Sequence, residues 1–250
     1  MDHGLSLDPL DRIRVVLSHT SHPGNIGGAA RAMKTMGLSR LWLVNPRHFP
    51  SDEAIARASG AEDVLVYANV TDNLATALQG CVLVAAVTAR RRELSTPARW
   101  AHHAAVELVA ATHQGDVALV FGNETSGLSN DEVALCHMPV MIPANPAYSS
   151  LNLASAVQIL AYELRQAAAA PGTPPPVAGE GLPAPHEDVE RLVAHFELAS
   201  IDSGFLDPAS PKRLIPRLRR LFARARVERE EVAILRGILS ALEQPQRKPD

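Results

Sequence analysis

Apolar runs and short polar, glycine-bearing breaks alternate along the first two thirds of the chain, and the period of the runs changes from one to the next. Ile13 to Leu17 is a compact β-rich run; after the break SHPGNIGG (21 to 28), Ile26, Ala29, Ala30 and Met33 fall at helical spacing until Gly37. Leu41 to Val44 reads as a second strand ended by Asn45-Pro46, Ser51 as the cap of a short helix closed by Gly60, and Val64 to Tyr67 as a third strand. Thr71 is expected to cap a further helix with Gly80 just past its end, and Val82 to Val87 is a continuous apolar run of the kind buried on both faces. Thr96-Pro97 predicts a helix to about His113, DVALVF and PVMIP predict two more strands, and Ser150 to about Ala169 reads as a long amphipathic helix. Such alternation predicts an α/β domain, a parallel sheet with helices on both faces.

The stretch from Val117 to Val157 carries the chemistry. Two successive strands end in FGNETSGL (121 to 128) and ANPAYSSLNLASAV (144 to 157), loops that are small, polar and rich in backbone donors. Open α/β sheets bind their ligands at such strand ends. In the first loop, Gly24, Gly27 and Gly28 lack the dinucleotide spacing, and the second strand closes in Val44-Asn45-Pro46 without an acidic residue. A nicotinamide oxidoreductase is therefore disfavoured. Asn25, Gly28 and Arg31, three residues apart, line one face of the helix start.

Beyond the sheet the pattern breaks. Residues 169 to 185, rich in proline, glycine and alanine, read as a semi-rigid linker separating a domain at 1 to 168 from an extension at 186 to 250. The extension has only helical periodicity and predicts about three helices, too small a unit to be stable without a partner surface. Charge is concentrated there: eight Lys or Arg against the single acid Glu228 between Lys212 and Arg229, in a chain of net charge −3. Arg213, Arg217, Arg220 and Arg224 recur at helical spacing opposite Leu214, Leu218 and Leu221, a basic stripe suited to a polyphosphate partner. Arg90, Arg91 and Arg92 form a second basic cluster at the sheet's ligand edge. The two cysteines, Cys81 and Cys136, read as buried thiols in a reducing compartment, and no metal-ligand cluster is seen. With no apolar run near the roughly 20 residues that span a bilayer, a cytoplasmic protein without a membrane partner is expected.

Taken together, NIGGAAR, FGNETSGL and IPANPAYSSLNLASAV resemble the three motifs of the SPOUT methyltransferases, over residues 13 to about 168. The resemblance implies a deep C-terminal trefoil knot that binds S-adenosylmethionine, a connectivity that periodicity alone does not reveal. The opening SHPGNIGGAARAMKTMGLSRLWLVNP, the middle AAVTARRR and the tail from FLDPASPKR onward resemble, more narrowly, the bacterial members that methylate the ribose 2′-hydroxyl of cytidine or uridine 32 in the tRNA anticodon loop. Ribosomal RNA methylation by the same chemistry, or a knotted RNA-binding protein without turnover, are the alternatives.

By the same resemblance, Val87, Thr88, Ala89, Gly122, Ile142, Ser149, Ser150 and Leu151 would line the cofactor slot, with Gly122 allowing close approach of the chain. Arg31 would be catalytic, and Ser150 would orient ribose or cofactor while capping the last helix. Arg31, Arg90, Arg92, Arg213, Arg217, Arg220 and Arg224 would contact RNA. Asn123 and Glu124 would shape the second loop, receiving hydrogen bonds from Asn25 or Arg31. A homodimer is expected, packed through Ile26, Ala30 and Met33 of the first helix and Leu153, Val157, Leu160 and Leu164 of the last, with tRNA and not DNA as the partner.

Overall fold

A computed structural model describes residues 8–89, 97–169 and 181–243. After a 3-10 turn over Pro9–Arg12 the chain runs β1 (Ile13–Ser18), α1 (Pro23–Thr35), β2 (Arg40–Val44), α2 (Asp52–Ala58), α3 (Glu62–Val66), β3 (Asn69–Thr71), α4 (Leu74–Leu78) and β4 (Cys81–Val87). It continues through β5 (Arg99–Trp100), α5 (Ala101–Ala111), β6 (Asp116–Phe121), α6 (Asn130–Ala134), β7 (Met138–Met141) and α7 (Leu153–Ala169). The tail adds α8 (His186–Asp202), α9 (Leu214–Ala225) and α10 (Arg229–Glu243).

The seven strands form one sheet in the order β3-β2-β1-β6-β4-β7-β5, and every pairing is parallel. Side chains of a strand alternate between faces, and the central strands obey this in full. Val15, Leu17, Leu83, Ala85, Leu119 and Phe121 pack under α1, α2, α5 and α7, whereas Val16, Val84, Ala86, Ala118 and Val120 pack under α4 and α6. Both sets are buried, which is why these strands read as continuous apolar runs. Each fully buried leucine of this core contributes about 2 kcal/mol by transfer from water. The chain passes from β6 across β4 to β7, and α7 then returns to pack on α1 and α5, in keeping with the expected knot.

Four expected elements are displaced. Val64 to Tyr67 is not a strand: Val64 and Leu65 are buried while Val66 and Tyr67 are 75% and 78% exposed, a helical and not an alternating pattern. Lys34 Nζ fixes the turn before it, donating to Gly60 O (2.9 Å) and Asp63 Oδ1 (2.8 Å). The edge strand is instead the polar Asn69–Thr71, so Thr71 lies in a strand and Asn73 caps α4 by accepting from Thr76 N (2.9 Å). Thr96 lies outside the described residues; α5 begins later than expected, at Ala101, because Arg99–Trp100 first pairs with β7 as an edge strand. Likewise α7 begins at Leu153, capped by Asn152, whose Oδ1 accepts from Ala154 N (3.0 Å), so Ser150 is not the cap.

The tail closes its own small core around Val189, Leu192, Val193, Phe222, Val232 and Leu239. The surface it needs is supplied by the sheet domain. Gly80 N donates to Glu187 Oε2 (2.9 Å), the His186 ring stands edge-on to that of His137 at 6.3 Å, and Arg226 pairs with Glu107 of α5. The last residues of the expected linker are structured: Ala184 is buried and its N–H donates to Val227 O (2.9 Å).

Candidate active site

Register builds the rim of the candidate site. Val87 lies beside both Phe121 and Val140, so three adjacent strands end at one level. The residues that follow, Thr88, Gly122 and Ile142, therefore share one edge of the sheet. Thr88 N donates to Val140 O (2.9 Å), Val87, Thr88 and Ile142 are half-buried, and Ala89, Ser149, Ser150 and Leu151 are exposed beside them. Apolar side chains left partly open among small residues and loop backbone fit an adenine and a carboxylate.

Gly122 allows a close approach of the chain, here by its own second loop. A Cβ there would lie 2.2 Å from Gly127 C and Leu128 N, so the second loop folds back over it. Gly127 closes that loop, donating its N–H to Asn123 O (2.8 Å) with a φ of +69° that favours glycine. Asn123 also donates through Nδ2 to His19 O (2.7 Å), tying the end of β1 to the loop.

Glu124 is the junction of the site. Its carboxylate accepts from Ser21 N (3.0 Å), Ser21 Oγ (2.8 Å), His22 N (3.1 Å) and Asn25 Nδ2 (2.9 Å). Partial burial pushes its pKa up, but the hydrogen bonds from Asn25 and Ser21 outweigh it and hold the carboxyl at about 2. The network extends further, because Asn152 Nδ2 donates to Asn25 Oδ1 (2.9 Å). Asn152 thus joins α1 to α7 while capping α7. Sequence reasoning missed Asn152 and Ser21; the usable signal was an N-cap type of residue directly before an apolar periodic run.

Arg31 stands apart from this network. It is exposed, six residues beyond Asn25 on α1, and Glu124 receives its hydrogen bonds from Asn25 and not from Arg31. Gly28 explains how α1 comes so near α7: a Cβ there would meet that of Ala154 at 2.9 Å.

Of the basic residues, Arg90 and Arg92 lie outside the described residues. Arg213, Arg217 and Arg224 are exposed, Arg220 is half-buried with its Nε enclosed and unbonded, and Arg219 and Arg226 are held in ion pairs with Glu190 and Glu107. The helix α9 buries Phe222 with Ile215 and Leu218, leaving Leu221 46% exposed, so its apolar face is rotated from the expected one. The expected dimer contacts are also corrected. Ile26, Ala30, Met33, Val157, Leu160 and Leu164 are at most 1% exposed and Leu153 is 7% exposed, all within the chain's own core. Both cysteines are free and buried, and burial pushes the Cys81 thiol up to about 12. Among the described residues no group of three or more His, Cys, Asp or Glu could hold a metal, and no helix is long and apolar enough to cross a membrane.

Comparison with known proteins agrees with this geometry. Residues 12–162 match the SpoU rRNA Methylase family, and residues 187–250 match the C-terminal domain of the tRNA methyltransferase TrmJ. The tRNA (cytidine/uridine-2′-O-)-methyltransferase TrmJ of Klebsiella pneumoniae is 50% identical over 94% of this chain and 98% of its own. The tRNA (cytidine/uridine/adenosine-2′-O-)-methyltransferase TrmJ of Pseudomonas aeruginosa is 48% identical, over 92% and 93%. The crystal structure of TrmJ from Z. mobilis ZM4 superposes with a TM-score of 0.80 at 36% identity, covering 92% of this chain and 99% of that one. With a SpoU domain, a TrmJ tail and half its residues shared with a full-length relative, the chain belongs to the SpoU methylase family and, within it, to the TrmJ group of tRNA 2′-O-methyltransferases.

Proposed function

We propose that the protein transfers a methyl group from S-adenosylmethionine to the ribose 2′-hydroxyl of nucleotide 32 of tRNA, working in the cytoplasm as a homodimer. The observation that carries this reading is the hydrogen-bonded chain from Asn152 through Asn25 to Glu124, which joins all three motif loops into one site.

Val87, Thr88, Ala89, Gly122, Ile142, Ser149, Ser150 and Leu151 would hold the cofactor at the rim of β4, β6 and β7. When bound, S-adenosylmethionine supplies a methyl group on a sulfonium, an electrophile that needs no further activation. The protein's part is then to orient the ribose oxygen and to manage its proton, and orientation can supply about 7 to 11 kcal/mol. A guanidinium is a cation and not a base, so Arg31 serves as one: it binds the phosphate beside the target ribose and stabilises the developing alkoxide. Glu124 is a poor proton acceptor, being held at about 2 with its oxygens already engaged by four donors. The hydroxyl proton passes to phosphate or water. Ser150, exposed on the rim, orients the ribose or cofactor. The dimer uses outer faces of the domain, where Tyr162 of α7 is 49% exposed, and leaves the core leucines in place.

The test is methyl transfer from labelled S-adenosylmethionine to bacterial tRNA followed by mapping of the modified nucleotide. A 2′-O-methyl group at position 32 is expected. Transfer to ribosomal RNA alone would overturn the substrate, and the absence of cofactor binding would overturn the whole reading.

A further inference from the structure

The loop between α8 and α9 presents an aromatic ring that the fold does not use. Phe205 is 78% exposed, whereas Phe121 and Phe222 are buried and Phe49 and Phe196 pack against the cores. Its exposure follows from the local backbone. Gly204, at φ +74°, ends α8, and Leu206 N then donates back to Ser200 O (2.8 Å) while the Leu206 side chain is buried. The bend that anchors Leu206 leaves the Phe205 ring beside it in solvent.

The ring lines a groove of about 640 Å³ together with Asp207, Lys212, Arg213, Leu214 and Arg217. The one acid in that set holds the loop: Asp207 Oδ1 accepts from Ala209 N (2.9 Å) and Asp207 O from Ser210 N (2.9 Å). Lys212 and Arg217 add positive charge beside the apolar ring. Arg217 also belongs to the exposed basic face of α9 with Arg224, so the groove opens directly onto that face.

We propose that this groove binds a single-stranded nucleotide of the RNA, at a point away from the reacting ribose, with Phe205 stacking on the base and Lys212 and Arg217 holding its phosphates. A phenyl ring has no hydrogen-bonding group to satisfy, but it offers a base a face, and flanking cations supply the backbone contact; this pairing is how proteins grip unpaired nucleotides. The proposal rests on the RNA substrate assigned above and adds to it a second point of attachment outside the sheet domain.

The experiment uses the full chain with Phe205→Ala and Phe205→Trp, total bacterial tRNA and S-adenosylmethionine. Because the ring is exposed, both variants should melt with the parent. Phe205→Ala is expected to weaken tRNA binding about tenfold, in line with the loss of one stacked base. Its S-adenosylmethionine affinity and the slope of log Kd against log salt should stay as in the parent, since no cation is removed. Phe205→Trp should keep the parent affinity, and its emission, after subtraction of the parent carrying Trp42 and Trp100, should be quenched as tRNA saturates. Unchanged affinity in Phe205→Ala, or unquenched emission in Phe205→Trp, would overturn the proposal. So would a change in sedimentation of Phe205→Ala with RNA affinity retained, which would seat the ring on a second copy of the chain. Parent protein that binds tRNA without methylating it would sink the enzymatic reading alone, and the stacking result would still stand or fall by itself.

Discussion

Glu124→Gln probes the joint on which the site depends. The native carboxylate takes four hydrogen bonds and is held at about 2 against an ordinary 4.5. At roughly 1.4 kcal/mol per tenfold, that preference for the ionised form is worth about 3 kcal/mol. The group is partly open to water, so screening reduces the contribution to about 1 to 2 kcal/mol. A glutamine keeps the shape but turns one acceptor into a donor facing donors. For a chain of this size, with about 2 to 4 °C per kcal/mol, the melting temperature should fall by about 2 to 8 °C at pH 7. The pH dependence has a definite sign. The folded carboxyl is depressed, so its stabilisation is complete above about 4.5 and is lost as pH falls toward about 2. Thermal or urea denaturation of both proteins from pH 7 to pH 3 should therefore show the gap shrinking, to about two fifths of its neutral value by about pH 3. Equal stability at pH 7, or a gap that widens on acidification, would refute the assignment of Glu124 as an ionised clamp.

Three further outcomes are expected. Arg31→Ala should lower kcat by about a hundredfold or more, the scale of losing one charge-stabilising group, while calorimetry finds S-adenosylmethionine affinity within about twofold of the parent, because the Glu124 carboxylate takes its hydrogen bonds from Ser21, His22 and Asn25 and not from Arg31. Gly122→Ala sets a Cβ 2.2 Å from Gly127 C and Leu128 N; it should cost about 3 kcal/mol or more in chemical denaturation and abolish cofactor binding. Combined Arg213→Gln, Arg217→Gln and Arg224→Gln should reduce the salt slope of tRNA binding by about 2 to 3, with melting unchanged because these side chains are exposed.

What the sequence conveyed follows from where each signal originates. The central strands were legible because burial on both faces writes itself into every residue of β1, β4 and β6. The edges were not: Asn69–Thr71 and Arg99–Trp100 are largely exposed and carry no apolar pattern, while the apolar Val64-Leu65-Val66-Tyr67 supplied a false one. Motif residues could be named because each motif is local. Their links could not, since Glu124 to Asn25 and Asn25 to Asn152 span 99 and 127 residues. The basic tail shows the same division. Its count of cations is written in the sequence, but the withdrawal of Arg219 by Glu190 and of Arg226 by Glu107 depends on tertiary partners, so the effective stripe is thinner than the count.

The position of Arg31 acquires a physical explanation from these long-range links. An exposed arginine without an intramolecular clamp would usually be a mobile surface group, and rotamer entropy would count against a catalytic role. Here the order lies in the helix beneath it. The start of α1 is tied through Asn25 to both Glu124 and Asn152, and Gly28 lets α1 seat closely against Ala154 of α7. Asn152 in turn follows directly on Ser149, Ser150 and Leu151 of the cofactor rim. Arg31 is therefore presented at a fixed place relative to that rim while its guanidinium is left for an outside partner. A phosphate beside the target ribose is the partner that such a group suits, since a bidentate cation fixes orientation as well as charge. On the proposed mechanism the carboxylate, the two asparagines and Gly28 would set where catalysis happens, and Arg31 would only have to reach from there.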